Sequence, residues 1–470
     1  MVLKKGSEVE LDVESAAYKG KGVARHDGLA VFIPGTAPGD KILARIVKRK
    51  KSYCEAKKLK LLEPSPRRIE PRCSHADTCG GCTWQHLQYK DQLEIKEQQV
   101  RDHMERIGGL DPSVVQPIIG CDKEFYYRNK MEYSFGTRKW LTEEEIRRDE
   151  YVDDSGFAAG LHAPGRYDKI LNLNECHLQD PVSYQILDEV RQYCIEHKIP
   201  AYDTVHNTGF MRNLVIRSSH YTEDLMVNLV TYSSDPETIQ TLSNHLTETF
   251  PEITTLVNNI NDRTNPTAVG RYENILYGPG YITDSIGRHT FKIHANAFFQ
   301  TNTPQAEKLY GIARKFAQPH KEDLLFDLYC GVGTMSLFMS DAVKKVIGIE
   351  LSEVALQNAR FNANENQVDN ADFVLGDMKD TFHDSLLHPS GRPDCILTDP
   401  PRAGMHPDVV KQLCDLRVSR LVYVSCNPST MARDLKKLKK YYHIRQIQPV
   451  DMFPQTYHIE AVAGLFRKTE

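Results

Sequence analysis

The sequence predicts an α/β protein in which a doubly wound, Rossmann-like domain follows an N-terminal OB-like β-barrel and a central α+β domain. Strand–loop–helix segments repeat from about residue 324, short strands separated by turns fill residues 1–62, and residues 125–290 mix strands with helices. The repeats predict a parallel sheet whose ligands lie at the carboxyl ends of its strands. The three expected domains span residues 1–66, 67–290 and 291–470.

The composition is that of an ordinary globular chain. Of 470 residues, 40% are hydrophobic and 26% are charged. No apolar run approaches the roughly 20 residues that span a bilayer, and the start, "MVLKKGSEVELDVES", lacks the apolar region of a secretory signal. We therefore expect a cytoplasmic protein without a membrane span. In that reducing compartment, 11 cysteines indicate metal binding or catalysis rather than disulfides.

Charge is distributed unevenly along the chain. Residues 1–72 contain 17 lysines and arginines against 9 acidic residues, a net charge of +8, while the whole chain carries −4. A basic module on an acidic body is typical of a polyanion-binding appendage. A solvated basic surface explains the charge alone equally well.

Alternating apolar residues mark the strands of the N-terminal barrel. Val9, Leu11 and Val13 alternate with polar residues, and the turn signals "DG" and "PGD" separate the following runs. Small five-stranded barrels of OB type are often used to bind RNA. After the linker "EPSPRRIEPR", the stretch "LQYKDQLEIKEQQVRDHMERIGGL" predicts a helix that ends at Gly108 and Gly109.

A glycine-containing turn follows the first strand of the C-terminal repeats. "DLYCGVGTMS" ends a strand at Asp327 and opens a helix after Gly331 and Gly333, where small residues allow a ligand to approach the backbone. Met335 and Ser336 replace the third glycine of the dinucleotide fingerprint, so the pattern disfavours NAD.

Acidic residues end the next two strands. "VIGIE" ends at Glu350, whose carboxylate can accept both hydroxyls of a ribose, and the following strand ends at Asp377, near an expected adenine edge. A charge at a helix N-terminus would explain Glu350 by itself. A glycine turn with successive acidic strand ends is instead the layout of an S-adenosylmethionine (SAM) methyltransferase, and we expect SAM as the cofactor.

Two further strand ends carry candidate catalytic residues. "CILTDPPRAGMHP" ends a buried strand at Asp399, and Arg402 stands where enzymes that methylate exocyclic amines carry an aromatic residue. "VYVSCNPSTMARDL" runs from a strand to Cys426, stops at Asn427 and Pro428 and continues as a helix. Cys426 alone is compatible with a nucleophile, a metal ligand or a buried filler.

Methylation at carbon 5 of uracil would use such a thiol. Because carbon 5 is a poor nucleophile, a thiolate must first add to carbon 6 and convert the ring into an enolate. Cys426 fits this role, and Glu460 in "HIEAVAGLF" fits the base that removes the carbon 5 proton. His458 lies on the same strand face. A surface position explains Glu460 equally well from spacing alone.

Five motifs occur in the order "FFQTN", "DLYCGVG", "DPPRAG", "SCNPST" and "HIE". With them the chain resembles the RNA (uracil-5-)methyltransferases that have an N-terminal TRAM domain and an iron–sulfur site, over nearly its whole length. The resemblance implies a TRAM barrel over residues 1–66, Cys426 as nucleophile, Glu460 as base and Arg402 as a residue that holds RNA or the active-site loop. The implied SAM-binding residues are Gln300, Tyr329, Gly331, Thr334, Glu350, Asp377 and Asp399.

A compact cysteine run indicates a metal site. "CSHADTCGGCTW" contains three cysteines with gaps of five and two residues: Cys73, Cys79 and Cys82. Plant-type ferredoxins combine a similar run with a distant fourth cysteine, for which Cys176 is the candidate and Cys121 and Cys54 are competitors. Four thiolates fit zinc or an iron–sulfur cluster. The resemblance favours a 4Fe–4S cluster that includes Cys176, with zinc second.

The main functional hypothesis is SAM-dependent methylation of carbon 5 of a uridine in structured RNA, after the base flips out of its stack. The resemblance favours 23S ribosomal RNA, with transfer RNA second and cytosine carbon 5 a more distant alternative. A non-enzymatic RNA-binding assembly factor and an iron–sulfur redox enzyme are the competing classes. Substitution of Cys426 by Ala separates an enzyme from a binding protein. We expect a monomer.

Overall fold

The computed structural model describes residues 3–147, 153–264, 267–381 and 391–469. Within these ranges the chain forms a closed barrel, two seven-stranded sheets and a two-stranded hairpin. This architecture confirms the predicted fold class, including the OB-like barrel and the doubly wound sheet. None of the helices in the described ranges has the length and apolar character that a membrane span requires.

The barrel is closed in the order β1-β2-β3-β5-β4. Strand β3 runs parallel to β5, and the other neighbours are antiparallel. Leu11 and Val13 point into the barrel core, whereas Glu10 and Asp12 face solvent, as the predicted alternation requires. The strands are β1 (Glu8–Ala16), β2 (Gly22–His26), β3 (Leu29–Ile33), β4 (Lys41–Arg49) and β5 (Tyr53–Glu63).

Helix α1 (Tyr89–His103) follows the barrel and the cysteine run. It continues as one π-helical turn, Met104–Gly108, and ends at Gly109. Gly109 has a φ of 59°, a left-handed conformation that glycine adopts without steric penalty. The predicted end of this helix is therefore confirmed.

The central sheet has the order β12-β11-β10-β9-β6-β7-β8. Parallel strands β10 and β11 are joined by a helical crossover, and the remaining neighbours are antiparallel, which is the predicted α+β pattern. The strands are β6 (Lys130–Arg138), β7 (Ser155–His162), β8 (Ile170–Asn172), β9 (Met211–Ser218), β10 (Leu225–Thr231), β11 (Thr255–Ile260) and β12 (Tyr272–Tyr277). The helices are α2 (Glu143–Arg147), α3 (Val182–Glu196) and α4 (Pro236–Thr249).

A hairpin and helix α5 lead into the C-terminal sheet, whose order is β17-β16-β15-β18-β19-β21-β20. Strands β15 to β19 are parallel, and antiparallel β21 lies between β19 and β20. The strands are β13 (Tyr281–Ile286), β14 (His289–His294), β15 (Leu324–Leu328), β16 (Lys345–Glu350), β17 (Ala371–Leu375), β18 (Cys395–Thr398), β19 (Arg420–Ser425), β20 (Tyr442–Val450) and β21 (Glu460–Arg467). The helices are α5 (Thr303–Ala317), α6 (Thr334–Ser340), α7 (Glu353–Glu365), α8 (Met378–Thr381), α9 (Pro407–Leu416) and α10 (Pro428–Leu438).

The strand order places a crevice beside β15. The chain moves from β15 outward to β16 and β17 and then returns to β18 on the other side. At such a reversal, ligands bind outside the carboxyl ends of the strands.

A buried ion pair attaches helix α1 to the segment between β20 and β21. Lys96 Nζ donates to Asp451 Oδ1 at 2.7 Å and to the Phe453 carbonyl at 3.1 Å, and the side chains of Lys96 and Asp451 are fully buried. Tyr89 Oη donates to the other Asp451 oxygen at 3.0 Å. Burial lowers the pKa of Lys96, and Asp451 opposes that shift.

Replacing Lys96 by Met leaves Asp451 buried without its counter-charge, and we expect the free energy of unfolding to fall by about 3–5 kcal/mol. Urea unfolding followed by tryptophan fluorescence measures this change, because the Trp84 ring centroid lies 5.9 Å from Lys96 Nζ. The control is Lys41→Met. The pair of Lys41 with Glu63 is exposed, and its loss changes stability by less than about 1 kcal/mol. Equal effects in the two variants would contradict the assignment.

Candidate active site

Strand register brings Cys426 and Glu460 side by side. Strands β19 and β21 are antiparallel and pair Ser425 with Ala461. The residue after Ser425 is Cys426 and the residue before Ala461 is Glu460, so the two neighbouring strands present them at the same sheet edge. Cys426 is half-buried, and Glu460 is 7% exposed.

The helix after Cys426 begins at once and fixes the orientation of the turn. Asn427 is the N-cap of α10, and its Oδ1 accepts from the Ser429 backbone N–H at 3.2 Å. Pro428 occupies the first helical position, where its missing N–H costs nothing. The predicted sequence of strand, stop and helix is therefore present.

The loop after β18 lies against this turn. Asn427 Nδ2 donates to the Arg402 carbonyl at 2.9 Å, and Thr430 Oγ1 approaches the same carbonyl at 3.4 Å. The Arg402 guanidinium lies close enough to Cys426 to lower the pKa of its thiol. Arg402 therefore brings a positive charge to the candidate nucleophile and joins the β18 loop to the start of α10.

The electrostatics of the group couple its members. Burial raises the pKa of the Cys426 thiol to about 11, Glu460 and Asp399 add to the shift, and Arg402 opposes it. Burial also raises the pKa of Glu460 well above its usual range, with Asp399 adding and Arg402 opposing. Burial therefore disfavours the charged forms of both groups, and nearby positive charge favours them.

The glycine turn after β15 is held by Glu350. Tyr329 and Gly331 both have left-handed backbones, with φ values of 66° and 55°. The Gly331 N–H donates to Glu350 Oε2 at 3.1 Å, and Glu350 Oε1 accepts from the next two backbone N–H groups, each at 2.9 Å. The structure therefore joins the predicted glycine turn to the predicted acidic strand end.

Asp377 lies near Tyr329. Burial raises the pKa of Tyr329 to about 12, and the negative charge of Asp377 adds to that shift. The backbone N–H of Lys379 donates to Asp377 at 3.1 Å, which lowers the pKa of the carboxyl, and the Lys379 ammonium lies 3.2 Å away. Asp377 is thus ionised at the edge of the crevice.

Gln300 and Thr334 meet through Tyr310, a residue that the sequence analysis did not identify. Tyr310 Oη and Thr334 Oγ1 are 2.8 Å apart, and the Gln300 side chain lies close enough to Tyr310 to lower the pKa of its hydroxyl. Asn129 Nδ2 donates to the Gln300 carbonyl at 2.9 Å. Tyr310 lies on α5, and strand-end reasoning gives no signal for a residue on a flanking helix.

The sequence correctly placed Asp327 near the end of β15 but did not indicate that it lies close to Glu350 and Asp399. Burial raises the pKa of Asp327 to about 7, and Asp399 and Glu350 contribute. Ser336 Oγ donates to it at 2.5 Å. Burial also raises the pKa of Asp399 to about 6. Asp327, Glu350 and Asp399 together form an acidic crevice suited to a cationic ligand.

The barrel contributes a tyrosine to the site. Tyr18, in the turn between β1 and β2, points its hydroxyl at Asn427 Oδ1 over 3.4 Å and packs edge-to-face on Tyr457. Tyr457 in turn packs on His458. Burial lowers the pKa of His458 to about 4, so its imidazole is neutral and packs rather than carrying charge. No sequence motif marks Tyr18, because its contact is long-range.

The four predicted metal-binding cysteines converge. Burial raises the pKa of Cys73 and Cys82 to about 12 and of Cys79 to about 11, and each of the three is further raised by neighbouring cysteines, Cys176 among them. Within the described ranges, no group of three or more metal-ligating side chains is positioned to hold a metal ion. The thiols are close enough to influence one another without being arranged around a single ion, and the metal site stays a prediction.

The two competing cysteines lie elsewhere. Cys54 is fully buried in the core of the barrel. Cys121 accepts a hydrogen bond from Asn302 Nδ2 at 3.5 Å and borders the Asp451 region. Of the three candidates, Cys176 is the one that the fold brings to the cysteine run.

Comparisons with known proteins agree with this geometry. A family model described as tRNA (Uracil-5-)-methyltransferase matches residues 254–381 and 389–468, and a TRAM-domain model matches residues 2–59. Two relatives, each called an uncharacterized RNA methyltransferase, are 41% identical. The one from Bacteroides thetaiotaomicron aligns over 96% of this chain and 99% of its own, and the one from Chlorobaculum tepidum over 98% and 96%.

A solved structure is similar over almost the full length. It is that of Pyrococcus abyssi tRNA (uracil-54, C5)-methyltransferase in complex with S-adenosyl-L-homocysteine, with a TM-score of 0.76 and 30% identity. The match covers 97% of this chain and 99% of that one.

Charge substitutions should change the reactivity of Cys426 in opposite directions. Arg402→Met removes the positive neighbour and raises the thiol pKa, so alkylation by iodoacetamide at pH 8 should slow by roughly threefold to tenfold. Asp399→Asn removes a charge that is present above pH 6, so alkylation should accelerate by a similar factor. Peptide mass spectrometry measures both rates, with Cys121 as the internal reference. A change of the same sign in both variants would refute the coupling.

Proposed function

Because the chain belongs to the family of SAM-dependent RNA (uracil-5-)methyltransferases, we propose that it methylates carbon 5 of a uridine in 23S ribosomal RNA. The proposed mechanism passes through a covalent bond between Cys426 and carbon 6. The observation that carries it is the pairing of β19 with β21, which sets a half-buried thiol beside a buried carboxyl at the acidic crevice.

The first step is addition of the Cys426 thiolate to carbon 6. A bond forms between Sγ and carbon 6, and the electron pair of the carbon 5–carbon 6 double bond moves into an enolate that ends on the carbonyl oxygen. With a thiol pKa of about 11, the thiolate is scarce. The Arg402 guanidinium favours its formation, and RNA-induced exclusion of water strengthens that attraction.

SAM, when bound, supplies an electrophilic methyl group on a positively charged sulfonium. We propose that Asp327, Glu350 and Asp399 favour this cation electrostatically. Acidic groups gathered in one buried crevice repel one another, and a positive charge beside them relieves that repulsion. The residues proposed to hold SAM are Gln300, Tyr329, Gly331, Thr334, Glu350, Asp377 and Asp399.

The last step is removal of the carbon 5 proton by Glu460. The carboxylate takes the proton, the C–H electron pair restores the double bond, and the carbon 6–Sγ bond breaks to return the thiolate of Cys426. A carboxylate whose pKa is raised by burial is a stronger base than one in water. The burial of Glu460 therefore serves this step.

We propose that residues 1–66, 67–290 and 291–470 are three domains with different roles. The first is a TRAM barrel whose basic surface contacts the RNA backbone, the second carries the cysteine site, and the third binds SAM and the flipped base. The contact of Tyr18 with Asn427 supports a barrel that stays close to the reacting nucleotide. We further propose a cytoplasmic location, since Cys426 must remain reduced. We propose that the protein is a monomer.

The proposed occupant of the cysteine site is a 4Fe–4S cluster, with zinc as the alternative. Its ligands would be Cys73, Cys79, Cys82 and Cys176. The convergence of the four thiols and the hydrogen bond from the Gly81 N–H to Cys79 Sγ at 3.3 Å support a sulfur-bound group. Methyl transfer itself needs no electron transfer, so the proposed role of the cluster is structural.

Transfer RNA is the second candidate substrate. It is favoured by the 30% identical solved structure, which is that of a transfer-RNA enzyme, and by the matching family model. A non-enzymatic assembly factor is less favoured, because Cys426 and Glu460 lie at neighbouring strand ends and the glycine turn is bonded to Glu350.

Transfer of labelled methyl from SAM to unmodified 23S ribosomal RNA and transfer RNA tests the proposal, with anaerobically purified protein. We expect 5-methyluridine in the ribosomal RNA. Cys426→Ala should reduce incorporation by about 10³-fold or more and retain RNA binding, while Cys121→Ala should remain active. Incorporation into transfer RNA alone would transfer the assignment to that substrate. No incorporation into either RNA, with SAM bound, would favour an assembly factor.

Metal analysis of the same preparation tests the cysteine site. We expect iron and sulfide with the absorption of a 4Fe–4S cluster, and loss of most of that iron in Cys176→Ala. Cys121→Ala is the matched control and should keep its iron. Zinc without iron would support the alternative, and equal iron in Cys176→Ala and the unsubstituted protein would exclude Cys176 as a ligand.

A further inference from the structure

The segment between β20 and β21 contains a residue in an unusual conformation. Gln455 has a φ of 67°, which side-chain-bearing residues rarely adopt, and it is 2% exposed. Such a conformation persists only where surrounding contacts hold it. The segment leads directly into Glu460, the proposed base.

Three residues hold Gln455 through its backbone and its side chain. Its N–H donates to Gln92 Oε1 at 2.9 Å, and its Oε1 accepts from Gln92 Nε2 at 2.9 Å. Its carbonyl accepts from the backbone N–H groups of Thr83 at 2.8 Å and Trp84 at 3.1 Å. We call Thr83, Trp84 and Gln92 the Gln455 clamp.

The side-chain amide of Gln92 contacts both Gln455 and the loop before α1. Gln92 lies on α1 and is fully buried, and its Nε2 also contacts the carbonyls of Trp84 and Leu87, each at 3.1 Å. Its amide therefore connects the loop after the cysteine run with Gln455. Buried amide networks of this kind are costly to leave half satisfied.

Short-range contacts connect the clamp to Glu460. Tyr127 Oη donates to the Pro454 carbonyl at 3.0 Å, Thr456 Oγ1 donates to the Phe453 carbonyl at 2.8 Å, and the His458 N–H donates to Thr456 Oγ1 at 3.2 Å. These bonds follow the chain from Phe453 to His458, two residues before Glu460. Cys426 lies in the turn between β19 and α10, which the clamp does not contact through these bonds.

We propose that Gln92 is a positioning residue for the general base, and that the Gln455 clamp holds Glu460 where it can take the proton from carbon 5. This inference rests on the proposed covalent mechanism. Loss of the clamp moves the carboxylate away, so the carbon 5 proton stays, the double bond does not re-form and the carbon 6–Sγ bond does not break. Because Thr83 follows Cys82 directly, the cysteine loop forms one side of the clamp.

The test substitutes Gln92 by Leu and follows a single turnover with labelled SAM and whichever RNA, 23S ribosomal or transfer RNA, accepts methyl. We expect methyl incorporation within about threefold of the unsubstituted protein, but release of free methylated RNA at least tenfold slower. The methylated RNA should remain on the protein as a complex that survives denaturing electrophoresis. Glu460→Gln should show the same complex.

The matched control is Gln99→Leu. Gln99 lies on the same helix and is also buried, but it contacts the Ala16 carbonyl of the barrel at 3.3 Å. It should release product at the normal rate. Gln455→Gly accepts the left-handed backbone without strain and removes the side chain that accepts from Gln92 Nε2, so it tests that contact. It should also accumulate the complex.

The outcomes separate the clamp from the mechanism. Normal product release in both Gln92→Leu and Gln455→Gly, or equal loss of incorporation and release in both, would overturn the positioning role. If Glu460→Gln forms no stable complex, the covalent mechanism itself fails. If it does and the clamp variants do not, only the inference about Gln92 fails.

Discussion

Lys96 and Asp451 form a charge pair without exposure to water, and the assembly of the site depends on it. A lone buried charge costs several kcal/mol, so neither residue is tolerable in the core without the other. The pair therefore requires α1 to pack against the segment after β20. The same packing brings Gln92 to Gln455, and Tyr89 to Asp451. The Lys96–Asp451 pair thus joins helix α1 to the segment between β20 and β21 that leads into Glu460.

Burial has a second consequence at the sheet edge, where the fold gathers acidic groups and a thiol. Desolvation raises the pKa of Asp327, Asp399, Glu460 and Cys426 alike. A site with these properties favours cations and disfavours charge on its own side chains. In the proposed mechanism, the positive charge of bound SAM would therefore favour the ionised forms of Cys426 and Glu460.

The sequence predicted those parts of the molecule that depend on local patterns. Alternation gave the barrel, strand–helix repeats gave the doubly wound sheet, and strand ends gave Glu350, Asp399 and Cys426, because carboxyl ends of parallel strands share one edge. Contacts between distant segments could not be predicted in this way. Tyr18 meets Asn427 across 409 residues, and Gln92 meets Gln455 across 363. A hydrophobic pattern shows that a face is buried but does not identify what covers it.

These distant contacts hold the barrel, the cysteine loop and the C-terminal sheet together around the candidate site. The β1–β2 turn supplies Tyr18 at the start of α10, while Trp84 donates its indole N–H to the Gly20 carbonyl of the same turn at 3.3 Å. Trp84 also holds Gln455 through its backbone. A single buried indole thus contacts both the barrel turn and the approach to Glu460. Under the proposed function, Trp84 thus joins the barrel proposed to contact RNA to the segment that leads into the proposed base.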